Sequence, residues 1–210
     1  MSKGKHVWIV TEGETDEEFY KKVVGQLRQN FDGQQFKVDK LDYYCAKGIG
    51  NFAKKIPNTY KNKIVSKYPE QDKIVFLCYD TDVFDFSLKP PINKNKLAKD
   101  LKALGAKKIY HIKADKTIED FFLVDSTGII NFLRLGKKYK VNKSHKGLDL
   151  LKKMYKDANK TYFKGEKTEG LIDALNLNLI MGSICKQLSN LCKELGYDCD
   201  KGLCLKKSKK

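Results

Sequence analysis

An α/β fold is predicted for this chain: a mostly parallel four-stranded sheet flanked by helices, followed by a basic helical C-terminal region. Three observations lead there. Short apolar runs rich in β-branched and aromatic residues occur at 6–11, 36–46, 73–80 and 107–112. Segments of helical apolar period separate them, the alternation expected of a parallel sheet covered on both faces. From about residue 117 the apolar spacing turns helical.

The elements follow in order. HVWIVT (6–11) reads as a buried strand halted at Glu12-Gly13. A helix opens at once: Thr15 and Glu18 have capping-box spacing, and Phe19, Val23, Val24 and Leu27 form one apolar stripe. FKVDKLDYYCA (36–46) is a second strand region. Gly48 and Gly50 then mark a turn into a helix over roughly Phe52 to Tyr68, with Pro57 blurring its start. KIVFLCYD (73–80) is a continuous apolar run ending on an acid. After the loop KPPINKN, a helix near 94–104 leads through Gly105 to the strand KKIYHI (107–112). The remainder reads as short helices in IEDFFLVD, GIINFLRL, GLDLLKKMY, EGLIDALNL and IMGSICKQLSNLCKEL. Residues 1–124 are expected to form the core, 125–205 a basic helical extension packed on it, and 206–210 a disordered basic tail.

Composition sets the class. With 210 residues, 41% hydrophobic and 32% charged, the chain suits one globular domain that buries a core without staples. No apolar run approaches the roughly 20 residues of a membrane helix, and the N-terminal apolar stretch is too short for a secretory segment. A cytoplasmic protein with no membrane partner is expected, its thiols reduced. Cys185, Cys192, Cys199 and Cys204 cluster late, but their spacing fits no familiar zinc knuckle, so inert thiols are the expectation.

Net charge is +16, from 42 Lys+Arg against 26 Asp+Glu. Residues 137–167 hold eleven lysines against three acids, while the acidic motifs lie elsewhere. A polyanionic partner, nucleic acid, fits that distribution, because each lysine meeting a phosphate releases condensed counterions. Lys137, Lys138, Lys140, Lys143 and Lys146 are the candidate phosphate contacts. A Lys-rich composition alone is the blander explanation.

Two predicted strands end on acids, the first at Glu12 and the third at Asp80-Thr81-Asp82. In open α/β sheets ligands sit beyond the carboxyl ends of the strands. If those strands are neighbours, Glu12, Asp80 and Asp82 converge there. Asp16, four residues past Glu12 at the helix opening, reaches the same point. Crowded carboxylates repel, and a hard divalent cation relieves the repulsion; oxygen-only ligands favour Mg2+ or Mn2+, as one or two ions. Each acid singly also has a plain explanation, such as a strand end or a favoured first helical turn.

The block Val10-Thr11-Glu12-Gly13-Glu14-Thr15-Asp16-Glu17-Glu18-Phe19-Tyr20 resembles the first motif of the TOPRIM family, and Phe76-Leu77-Cys78-Tyr79-Asp80-Thr81-Asp82 its second. Residues 1 to about 120 resemble the family's Rossmann-like fold. The acid four residues after the Glu is similar to the variant in overcoming-lysogenization-defect (OLD) and RloB-like nucleases found beside phage-defence genes. The resemblance implies a metal-dependent nuclease that hydrolyses phosphodiester bonds of DNA or RNA, in antiviral defence. Lys116-Thr117-Ile118-Glu119-Asp120-Phe121-Phe122-Leu123 resembles a later family segment whose Glu holds a second metal, which implies Glu119; an N-cap at Thr117 is the alternative. The family's late lysine, which neutralises transition-state charge, falls on Lys164 or Lys167. The implied mechanism has one metal on Glu12, Asp16 and Asp80 activating water, and a second on Asp80, Asp82 and Glu119 at the leaving oxygen. Tyr139, Tyr155, Tyr162 and Phe163 are candidates for stacking on bases or for core packing.

A TOPRIM ribosomal-RNA maturase is the nearest enzymatic alternative. A phosphatase of the haloacid-dehalogenase type is disfavoured, because its Asp-x-Asp normally follows the first strand. From another class comes a non-catalytic nucleic-acid-binding subunit of a defence complex, or a toxin component silent until an ATPase partner protein releases it. A second copy of the chain, as a homodimer, completes the partner expectations.

Overall fold

The structure is a computed structural model, and it describes residues 4–30, 36–85, 90–136, 138–142 and 144–197, apart from the side chains of residues 83 and 85. Lys137, Lys143, Cys199, Cys204 and the predicted tail at 206–210 lie outside the described residues.

Strands β1 (Lys5–Thr11), β2 (Lys40–Cys45), β3 (Asp72–Asp80) and β4 (Ala106–Ala114) form one four-stranded sheet in the order β2-β1-β3-β4. All its pairings are parallel, with Thr11 beside Cys45, Val10 beside Leu77 and Asp80 beside Ala114. Both faces are covered, so β1 and β3 read as unbroken apolar runs. The side chains nevertheless alternate. Trp8, Val10, Val75 and Leu77 enter one core with Phe52, Ile56, Tyr60, Leu97 and Leu101. Val7, Ile9, Ile74, Phe76 and Cys78 enter the other.

The first of these cores is roofed by α2 (Phe52–Thr59) and α4 (Lys94–Ala103), the second by α1 (Glu14–Asn30). The chain winds outward from β1 to β2, then back across β1 to β3 and on to β4. That reversal puts α1 and α2 on opposite faces, as right-handed crossovers require. A crevice therefore opens between the C-terminal ends of β1 and β3.

The helices α5 (Glu119–Phe122), α6 (Ser126–Leu133), α7 (Gly147–Asp157), α8 (Leu177–Ser183) and α9 (Cys185–Leu195) follow β4. They join the α1 side of the sheet: Phe122, Ile129, Leu151, Met181 and Leu188 belong to the same buried cluster as Val7 and Phe76. Truncating a fully buried ring there, such as Phe76, would cost about 3–5 kcal/mol. Gly196 closes α9 at φ 96, a left-handed turn that glycine adopts without strain.

Two local expectations need correction. The Thr15–Glu18 capping box does not form, because α1 begins at Glu14 and Thr15 already lies inside it. Asp16 instead accepts the Gly13 N–H at 3.0 Å, the half of a capping box that returns from the third helical residue. The single helix expected over 52–68 is α-helical only to Thr59 and runs on as a π-helix over Tyr60–Val65. Pro57 lies inside α2, where its missing N–H interrupts the bonding ladder just before the widened turns. A short helix, α3 (Asp82–Asp85), was not expected. No helix among the described residues is long and apolar enough to cross a membrane.

Candidate functional site

β1 delivers Glu12 and β3 ends on Asp80, and the two meet across the crevice: Glu12 Oε1 accepts the Asp80 backbone N–H at 2.9 Å. Asp80 Oδ1 accepts the Ile118 N–H at 2.9 Å, and Asp80 Oδ2 lies 2.8 Å from Lys164 Nζ. The same ammonium reaches Asp82 Oδ2 at 3.1 Å. Asp16, in the first turn of α1, is buried beside them. Glu119 is 1% exposed; its Oε1 accepts the Tyr162 hydroxyl at 3.0 Å, while its Oε2 is buried with no hydrogen-bond partner.

The turn carrying Asp82 is held from the loop that follows the neighbouring strand, β4. Thr81 and Asp82 both donate backbone N–H groups to the Lys116 carbonyl, and Thr81 Oγ1 accepts the Lys116 N–H at 2.8 Å. This clamp joins the end of β3, which carries Asp80, to the loop after β4 that leads to Glu119. On the α1 side, Glu14 donates to the Gly165 carbonyl at 2.9 Å and the Thr15 hydroxyl donates to the Glu166 carbonyl. The loop bearing Lys164 is thereby pinned to the helix bearing Asp16.

Burial dominates the electrostatics. It raises Glu12 from 4.5 to about 8, with the Asp80 charge adding to it. Burial likewise raises Asp80 to about 7 against the pull of Lys164, and Asp16 to about 6 against the Gly13 hydrogen bond. For Lys164 burial acts downward, but Asp80 and Asp82 outweigh it and hold the ammonium above its usual range. These acids line a cleft of about 440 Å³ together with Cys45, Lys47 and Lys164. A cleft of similar volume flanks β2 near Trp8, Tyr44 and Lys67, but its carboxylate, Asp42, is bonded to His6 and is not part of an acidic group.

Against protein-family models, curated proteins and solved structures, the chain has no match.

The residues expected at the site are thus gathered in different degrees. Glu12, Asp16, Asp80 and Glu119 gather in one centre, Asp16, Asp80 and Glu119 buried and Glu12 partly so, and the exposed Lys164 joins it and Asp82 by ion pairs. Lys167 does not: it is exposed and lies 3.9 Å from Glu18. Of the described arm lysines, Lys138, Lys140 and Lys146 are exposed. Lys146 precedes Gly147, where an added Cβ would lie 2.9 Å from Asp120 Oδ2, so it is carried beside the Glu119 segment. Among the aromatics, Tyr155 and Tyr162 are buried, Tyr139 donates to Asp157, and Phe163 is exposed.

The donor set suits a hard cation in its chemistry, being all oxygen, buried and mutually repelling, with one carboxylate oxygen left orphaned at Glu119. It is not a closed chelate. Among the described residues, no group of three or more His, Cys, Asp or Glu side chains stands close enough to hold a metal ion. The hydrogen bonds explain why: Glu12, Asp16 and Glu119 each turn toward a separate donor. Sequence reasoning missed those donors. Tyr162 bonds a residue 43 positions away, a pairing that no local spacing signals.

Proposed function

We propose that the chain is a TOPRIM-type nuclease that hydrolyses phosphodiester bonds of DNA or RNA with Mg2+ or Mn2+. The observation that carries this reading is the meeting of Glu12 and Asp80 at the ends of adjacent parallel strands, with Asp16, Glu119 and Lys164 closing around them. Glu12, Asp16 and Asp80, with Glu119 behind them, are the residues that would hold a divalent cation. Bound there, it supplies Lewis-acid activation of water and neutralises charge on the phosphoryl oxygens.

The protein's own groups take the remaining roles. Glu12, with its carboxyl raised to about 8 in the metal-free centre, would give up its proton when a cation binds at neutral pH. Lys164 presents a fixed positive charge beside Asp80, placed to face a phosphate entering the cleft. The Lys116 clamp keeps Asp80, Asp82 and Glu119 in register. The exposed lysines Lys138, Lys140 and Lys146 supply sequence-independent attraction for the polyanion.

A second reading, a non-catalytic nucleic-acid-binding subunit, is favoured by one observation: the Lys164 ammonium already bridges Asp80 and Asp82. A cleavage assay separates the two. Single- and double-stranded DNA and RNA are incubated with the chain in magnesium or manganese, with Asp80→Ala as control. Metal-dependent products from the wild type, lost in Asp80→Ala while binding persists, support the nuclease; binding without products supports the second reading.

A further inference from the structure

Phe163 is the most exposed large apolar residue among those described, at 59%, ahead of Leu179 at 49%. Its place in the chain sets it apart from an ordinary surface phenylalanine. Tyr162 on one side is buried and hydrogen-bonded to Glu119. Lys164 on the other side is ion-paired to Asp80 and Asp82. Beyond it, Gly165 and Glu166 are pinned to the start of α1 through their carbonyls. The backbone that carries the ring is thus anchored on both sides to the acidic centre, and the ring itself is turned out to solvent.

A ring held rigidly at its Cα but free on its face has the geometry of a stacking platform. Phe163 does not share the core position of its neighbour: Tyr162 is buried, whereas Lys164 stays exposed while its ammonium reaches Asp80 and Asp82. Every nucleobase offers a π-face, whereas paired bases in a duplex present only edges and backbone to a protein surface. The surrounding charge suits the same partner: Lys160 and Lys167 are exposed within four residues on either side, and Lys146 lies by the Glu119 segment.

We propose that Phe163 stacks on an unpaired base next to the phosphate bound at the acidic centre, which makes the substrate a single strand or a single-stranded region. This inference rests on the nuclease reading above and narrows its substrate class.

The test measures binding of the full-length chain, in EDTA so that no metal-dependent cleavage intervenes. Anisotropy is read for fluorescein-labelled oligothymidylate, oligouridylate and a mixed-sequence DNA duplex. Phe163→Ala is expected to weaken binding of at least one single strand by about 5- to 100-fold and to leave duplex binding unchanged. Phe163→Trp is expected to keep the single-strand affinity and to show quenching of its indole emission by the bound base. Circular dichroism checks that the variants fold, which an exposed site favours. Unchanged single-strand affinity in Phe163→Ala, or an equal loss on the duplex, overturns the stacking role. Failure of the wild type to bind any of the three probes, in EDTA and in calcium alike, overturns the nucleic-acid reading itself, and the stacking role with it.

Discussion

Gly13 and Gly165 pack backbone to backbone: a Cβ on Gly13 would lie 2.8 Å from the Gly165 Cα. The contact joins the turn after β1 to the lysine loop, so the two halves of the acidic centre meet through two residues without side chains. Gly13→Ala must push the loop away and with it Lys164. A loss of about 1–3 kcal/mol in stability is expected, together with a larger loss of cleavage than that instability explains. Thermal melts and cleavage rates on the same preparation check this.

Glu12, Asp80 and Asp16 hold protons well above the ordinary carboxylate range, at about 8, 7 and 6. For acids with raised folded-state values, the contribution to stability is fully present at low pH and is lost as pH rises through those values. A bound cation replaces the protons, so its stabilising effect grows with pH. Manganese is expected to raise the melting temperature more at pH 8 than at pH 6, where the acids still hold most of their protons. In Asp80→Ala the shift is expected to vanish.

The Tyr162 hydroxyl is the partner that orients Glu119. Tyr162→Phe keeps the ring's packing and removes that one hydrogen bond. Manganese affinity, read by calorimetry, is expected to fall about 10- to 100-fold, as for loss of other groups that orient metal ligands. An unchanged affinity would separate Glu119 from metal binding.

Far from the cleft, Glu194 is buried and accepts hydrogen bonds from Lys5, Lys108 and Tyr110. Burial alone would raise its pKa, but these donors outweigh it and hold the carboxyl below its ordinary 4.5. Its stabilising contribution is therefore present above that value and lost as pH falls through the depressed one. Glu194→Gln is expected to cost about 1–3 kcal/mol at neutral pH and to flatten the acid limb of stability against pH in urea titrations.

Lys146 tests the electrostatic partner. If it meets a phosphate, Lys146→Gln weakens binding of all sequences alike and reduces the slope of log affinity against log salt by about 1. A slope identical to that of the wild type would remove it from the interface.

The sheet was legible because both its faces are buried, which turns β1 and β3 into apolar runs that end abruptly on Glu12 and Asp80. That ending also marked the carboxylates. Asp16 followed from helix geometry, being one turn beyond the Glu12-Gly13 corner. Other parts were not legible. Whether Lys164 or Lys167 enters the centre depends on the Gly13–Gly165 contact, which joins segments distant in the chain. The Lys116 clamp on Thr81 and Asp82 uses only the backbone groups of Lys116, so the identity of that side chain does not announce it. The break from α-helix to π-helix after Thr59 reflects Pro57 in a packed helix, a compromise between ladder and core that periodicity alone does not reveal.

The pinning of the lysine loop onto α1 also has a consequence in time. A ribosome completes β4 well before it reaches Tyr162 and Lys164, so an emerging chain presents Glu12, Asp16 and Asp80 without the tyrosine that steadies Glu119 or the ammonium that offsets their charge. The centre can be finished only when the last third of the protein folds back on the first. During synthesis the acidic centre is thus held incomplete by the order of translation itself.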